Sequence, residues 1–182
     1  TLSIKMKISN LNDPQIFKSN SYRDDRGYFF PLDLDPMWVQ SNISVSNMWT
    51  FRGLHHQGGE HSQSKLLSVI RGELINFIVD LRPESFGKVH KHEMHSGDTL
   101  FIPMGFAHGF LCLKEKTICQ CLVDKKHSSE NESAISWNSV PEIKKYIESK
   151  VFPDYLIISS KDLVGDLSNG RVSVPVINEL GS

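Results

Sequence analysis

The chain has almost no net charge, few cysteines and no long apolar run, and each shortage removes a class of function. Twenty Lys and Arg stand against 21 Asp and Glu, a formal net charge of −1. That balance gives no general attraction for nucleic acid or an anionic membrane, though it leaves room for a local basic pocket. No stretch approaches the roughly 20 apolar residues of a membrane span. The segment from Thr1 to Ile8 alternates as a strand does and lacks the apolar block of a secretion signal. The three cysteines, Cys112, Cys119 and Cys121, are odd in number and clustered, and Cys119-x-Cys121 is too close for an ordinary disulfide. A reduced, cytoplasmic protein is expected. Repeats, low-complexity tracts and linkers are absent, so the 182 residues are expected to form a single domain, 1–182, with a sizeable core.

Strand signals dominate what is there. Apolar or alternating runs occupy Tyr28–Leu32, Trp38–Ser46, Trp49–His55, Lys65–Ile70, Glu73–Leu81, Thr99–Ile102, Gly109–Leu113 and Lys116–Val123. Turn residues separate them, among them Asp25-Arg26-Gly27, Gln57-Gly58-Gly59, Arg71-Gly72 and Ser96-Gly97-Asp98. Many short strands at this spacing predict a sandwich or barrel. The best helix runs from Pro141 to Glu148, with proline in its first turn and apolar residues on one face. An all-β architecture with short helices, mainly C-terminal, is expected.

Between Gly97 and His108 the chain reads Gly, five residues, Pro103-Met104-Gly105, two residues, His108. That spacing resembles the second sequence motif of the cupin barrels. Gly105-Phe106-Ala107-His108-Gly109-Phe110 also resembles a signature of the nucleotide-sugar 3,5-epimerases within that group. Three further segments resemble the same family in order: Asp25-Arg26-Gly27-Tyr28-Phe29-Phe30, Gln40-Ser41-Asn42-Ile43-Ser44, and Arg52-Gly53-Leu54-His55-His56-Gln57. Ser160-Lys161-Asp162 sits where the family it resembles carries an S-x-K-D aspartate. The resemblance spans roughly residues 15 to 165 and implies a cupin-type double-stranded β-helix, or jelly roll.

It also implies a chemistry. A nucleotide-linked 4-keto sugar has acidic protons on both carbons beside its ketone. Removing one gives an enolate, and returning a proton to the opposite face inverts the centre. The reaction needs a base near neutral pH, an orienter for it, a cation beside the developing oxyanion and an acid across the ring. By resemblance His55 is the base, Asp162 its carboxylate and Lys65 the cation. Arg26 and Arg52 are diphosphate ligands, whose guanidinium forks match phosphate oxygens. Gln40 and Asn42 share a strand face and bind nucleotide or sugar hydroxyls, Phe29 lies by the substrate, and His108 lies in the pocket. The resemblance implies no cofactor, a nucleotide-diphosphate sugar as substrate, a homodimer, and a place in surface-polysaccharide synthesis.

Two departures from the family pattern shape these expectations. Where the family carries the tyrosine that acts as acid, alignment back from Glu132-Ser133-Ala134-Ile135-Ser136-Trp137-Asn138 puts Cys121. A thiol titrates lower than a phenol but is shorter, so either both centres are inverted or carbon 3 alone; Cys119 and Tyr155 are further donor candidates. Pro31 replaces a glutamate that reads thymine in the family, which favours a GDP-linked 4-keto heptose. Metal dependence is not expected: His55 and His56 are adjacent rather than i, i+2, and His90-Lys91-His92 is read as an outward-facing strand. A 3,4-ketoisomerase and a catalytically idle nucleotide-sugar-binding cupin are the competing readings.

Overall fold

The computed structural model describes residues 8, 10–18, 22–24, 27–29 and 37–167. Two five-stranded antiparallel sheets face each other. One has the order β1-β9-β6-β11-β4, the other β12-β5-β10-β7-β8, and a β2–β3 hairpin stands apart. In chain order the strands are β1 (Gln15–Lys18), β2 (Tyr22–Asp24), β3 (Gly27–Phe29), β4 (Gln40–Ser46), β5 (Phe51–Gln57), β6 (Lys65–Arg71) and β7 (Glu73–Asp80). Then come β8 (Val89–His95), β9 (Asp98–Ile102), β10 (Phe106–Cys112), β11 (Thr117–Val123) and β12 (Glu132–Ala134). Consecutive strands such as β6 and β7 lie in different sheets, which is the jelly-roll arrangement.

Alternation along the strands divides the apolar residues into layers. Between the sheets lie Leu67, Val69, Leu74, Ile78, Met94, Leu100, Phe106 and Phe110, all buried. The outer face of the second sheet carries Phe51, Leu54, Ile75, Phe77 and Leu111. It is covered by the helix α1 (Pro141–Lys150), which buries Ile143 and Ile147 there. The same outer cluster receives Leu156 and Ile158 from the chain beyond α1, and a parallel bridge ties Ile157 to Thr50.

Seven expected strands are present, with shifted ends, and of the eighth, Tyr28–Leu32, only the part to Phe29 lies in the described residues, in β3. β10 starts at Phe106 rather than Gly109, so His108 lies mid-strand. The short strands β1 and β12 carried too little periodicity to be read. The pair His90 and His92 requires a correction. They are part-buried and share a face with the buried Met94, while Lys91, Glu93 and His95 point outward. Register places His92 opposite Asn76 and His90 opposite Ile78, so this histidine pair faces the space between the sheets. The expected N-terminal strand falls almost wholly outside the described residues, as do Pro31 and Arg26.

Candidate active site

A cavity of about 510 Å³ opens between the sheets, walled by His55, Arg52 and His108 from one and by Asn42, Leu67 and Cys121 from the other. The segment 157–162 closes one side with Ile157, Ile158 and Asp162. β5 and β10 bring His55 and His108 side by side, directly paired in register. The pairing shifts between His108 and Phe110, and the two strands approach closely at Gly53 and Gly109. A Cβ on Gly53 would stand 2.5 Å from the carbonyl oxygen of His108, and one on Gly109 would stand 2.7 Å from that of Arg52. Gly53 also has φ +111°, a conformation that favours glycine. These glycines set the distance at which the two rings face the cavity.

His55 Nε2 donates to Asp162 Oδ1 at 2.7 Å, and Gly53 N–H donates to Oδ2 of the same carboxylate at 3.3 Å. Asp162 is 3% exposed. Burial pushes its carboxyl up, but the hydrogen bonds from His55 and Gly53 outweigh that and hold it below the usual range. Asp162 is therefore an ionised acceptor that fixes the ring orientation. With Nε2 bound, His55 keeps Nδ1 as its free lone pair.

Lys65 is buried, and its Nζ donates to the backbone carbonyl of His55 at 3.3 Å. Burial lowers its pKa; Cys121 and Glu132 partly oppose the shift. It lies behind the cavity wall rather than on it. Cys121 does line the cavity, from the sheet opposite His55. Burial raises its pKa, with Lys65 pulling the other way, so it is a protonated thiol near neutral pH. Cys119, two residues earlier on the same wall, is pushed up to about 12, chiefly by burial.

The other expected residues divide. Asn42 and Arg52 line the cavity, and Arg52 Nε donates to Ser46 Oγ at 2.9 Å. Gln40 stands outside the wall and donates to Asn42 Oδ1 at 2.7 Å. Phe29 is described only through its strand pairing with Tyr22. Arg26 lies outside the described residues. Tyr155, a candidate proton donor, is 64% exposed, packs edge-on against Phe152 and does not line the cavity. Sequence reasoning missed Asn76, whose Nδ2 lies 2.9 Å from His108 Nε2; a lone Asn in an apolar strand carries no signal of its own. Among the described residues no cluster of three or more metal-ligating side chains forms.

The arrangement is suited to proton transfer: a carboxylate-paired imidazole on one sheet and a protonated thiol on the other. Comparison with known proteins points the same way. The sequence pattern of the dTDP-4-dehydrorhamnose 3,5-epimerase family matches residues 8–168. The enzyme of that name from Methanothermobacter thermautotrophicus is 35% identical over 167 residues, covering 85% of this chain and 89% of that protein. The Escherichia coli enzyme is 34% identical over 145 residues, covering 71% and 78%. Among solved structures, the Elizabethkingia anophelis enzyme has a TM-score of 0.75 at 31% identity, covering 90% of this chain and 95% of its own. The Bacillus anthracis enzyme, solved with TDP and PPi bound, has a TM-score of 0.72 at 30% identity, covering 90% and 97%. The chain belongs to the dTDP-4-dehydrorhamnose 3,5-epimerase family.

Proposed function

We propose that the protein inverts carbon 3, and then carbon 5, of a nucleotide-linked 4-keto sugar by proton transfer alone. The observation that carries this reading is the His55–Asp162 pair on one sheet facing Cys121 on the other across a shared cavity. His55 Nδ1 takes the proton from the carbon beside the ketone, and Asp162 balances the charge the ring acquires. The bonding electrons move onto the ketone oxygen to give the enolate; Lys65, behind the cavity wall on the His55 carbonyl, contributes only the field of its positive charge. Cys121 then delivers its proton from the opposite side, which inverts the centre and leaves a thiolate; exchange with solvent water reprotonates Cys121 and deprotonates His55 before the next centre is inverted. The steps neither gain nor lose electrons, so no redox cofactor is called for.

Arg52 holds the diphosphate in this reading, and Asn42, steadied by Gln40, meets a sugar or nucleotide hydroxyl. Arg26 and Phe29 keep the nucleotide-binding roles expected of them. The relatives reported above are named for a dTDP-linked substrate, which supports a dTDP-4-keto-6-deoxyhexose over the GDP-linked heptose that Pro31 suggested. The protein acts in the cytoplasm, where its three free cysteines stay reduced. It works as a homodimer: among the described residues β4 is an edge of its sheet and exposes Ile43 and Val45, an apolar row suited to a second copy. Analytical ultracentrifugation should give twice the 20.7 kDa chain mass; a monomer at micromolar concentration would remove this part of the reading.

Incubation with dTDP-4-keto-6-deoxyglucose in deuterated water tests the activity directly. Proton NMR should show deuterium entering at carbons 3 and 5, and His55→Asn should lower both rates by a factor on the order of 10²–10⁴. Exchange at carbon 3 alone selects a single-centre epimerase. Tight nucleotide binding without exchange at either carbon selects the idle binding module and sinks the enzyme reading. A parallel arm with a GDP-linked 4-keto sugar decides the nucleobase.

A further inference from the structure

Two histidines sit side by side on β5 and β10, and they differ in what stands behind them. His55 is backed by a carboxylate and His108 by an amide. That amide belongs to Asn76, fully buried on β7, with Phe110 opposite it on one side and His92 of β8 on the other. Its Nδ2 lies 2.9 Å from His108 Nε2. An amide nitrogen can only donate, so Nε2 accepts and the ring proton resides on Nδ1. Nδ1 is then the nitrogen left for the cavity that His108 lines.

The far end of Asn76 supplies a second, independent observation. Its Oδ1 is buried and unpaired, and so is Nε2 of His92, its partner in register on the next strand. Buried polar groups in folded proteins are nearly always paired. The structure leaves the two unbonded to each other; a side-chain rotation that directs a proton on His92 Nε2 at Asn76 Oδ1 would satisfy both.

We propose that Asn76 is a positioning residue in a buried chain, with His92 Nε2–H donating to its Oδ1 and its Nδ2–H donating to His108 Nε2. The chain locks His108 as the neutral Nδ1–H tautomer, which presents a hydrogen-bond donor to the cavity. Both rings have the neutral state this requires. Burial, then Lys65 and His55, hold His108 well below the ordinary imidazole range. Burial, then His90, lowers His92 in the same way. The carboxylate on the cavity wall, Asp162, is bound to His55 and Gly53 rather than to His108. On the epimerase reading, on which this last step alone rests, His55 moves protons while His108 donates to a substrate oxygen and keeps its own proton.

The tautomer is measurable without substrate. Protein carrying ring-¹⁵N histidine is studied by long-range proton–nitrogen correlation at pH 7, with His108 and His92 assigned from signals lost in His108→Gln and His92→Gln. His108 should show an unprotonated, pyridine-type Nε2 and a protonated, pyrrole-type Nδ1, and His92 a pyrrole-type Nε2. In Asn76→Asp the partner becomes an acceptor, and His108 Nε2 should move to the pyrrole-type position. A pyrrole-type Nε2 on His108 in the native protein, the result of an amide facing the other way, overturns the proposal. So does an unchanged His108 pattern in an Asn76→Asp variant that circular dichroism shows to be folded; where that variant does not fold, the native spectrum decides. Loss of the epimerase reading, by absent deuterium exchange in the native protein, leaves the tautomer result standing, so the two fail separately.

Discussion

At the scale of single residues, inversion depends on the proton returning from the side opposite the one it left. His55 and Cys121 meet that condition because the two sheets present them across the cavity. Cys121→Ala removes the far donor and leaves His55 intact. Deuterium exchange should therefore persist while product inversion drops by about tenfold or more, since the enolate is quenched on the side of its departure. NMR of the reaction in deuterated water separates the two; inversion at the native rate would take the donor role from Cys121. How legible these residues are from sequence follows from their chemistry. His55 and Asp162 stand inside motifs whose neighbours repeat the family pattern. Lys65 was readable only by its distance from His55, and its turn toward the His55 carbonyl was not. Asn76 was silent and His92 was read as facing outward, because their juxtaposition exists only where β7, β8 and β10 lie side by side.

At the scale of elements, the site is built on one close approach. β5 and β10 can pair His55 with His108 only because Gly53 and Gly109 put no side chains where the strands meet. Gly53→Ala places a methyl group 2.5 Å from a backbone oxygen in a conformation that disfavours alanine. The expected cost is roughly 1–3 kcal/mol for the backbone alone, read as a Tm lowered by several degrees, with exchange activity lost in the fraction that remains folded. An unchanged Tm would show that the strands separate freely here. Strand positions were legible because turn residues punctuate them. The orientation of β8 was not: His-Lys-His alternates polar with polar, and only the buried Met94, two residues on, reveals which side is inside. Helix α1 was legible from its proline and its apolar face, and it ends two residues beyond the expected point.

At the scale of the whole molecule, the balance of buried histidines sets the response to acid. His56 is lowered from 6.5 to about 4, first by burial and then by Lys65 and His55, and His108 is lowered well below 6.5. Between the folded and unfolded values the unfolded chain binds more protons, so stability falls as pH drops from about 6.5. For His56 the loss levels off below about 4. Each such ring contributes up to about 1.4 kcal/mol per pH unit across its window. Asp162 and Asp80, both held below the usual carboxylate range, add a further loss at still lower pH, as each becomes protonated in the folded state. Denaturant titrations from pH 7 to pH 4 should show the fall, and His56→Gln should flatten it; equal slopes in both proteins would contradict the assignment. The His55–Asp162 pair joins positions 107 residues apart, and that separation has a consequence for biosynthesis. A ribosome releases His55, Lys65 and Cys121 before Asp162, so a truncated or half-made chain carries the cavity's other groups while its base has no carboxylate. On the proposed mechanism, turnover begins only when the segment that carries Asp162, bridged through Ile157 to Thr50, has been synthesised.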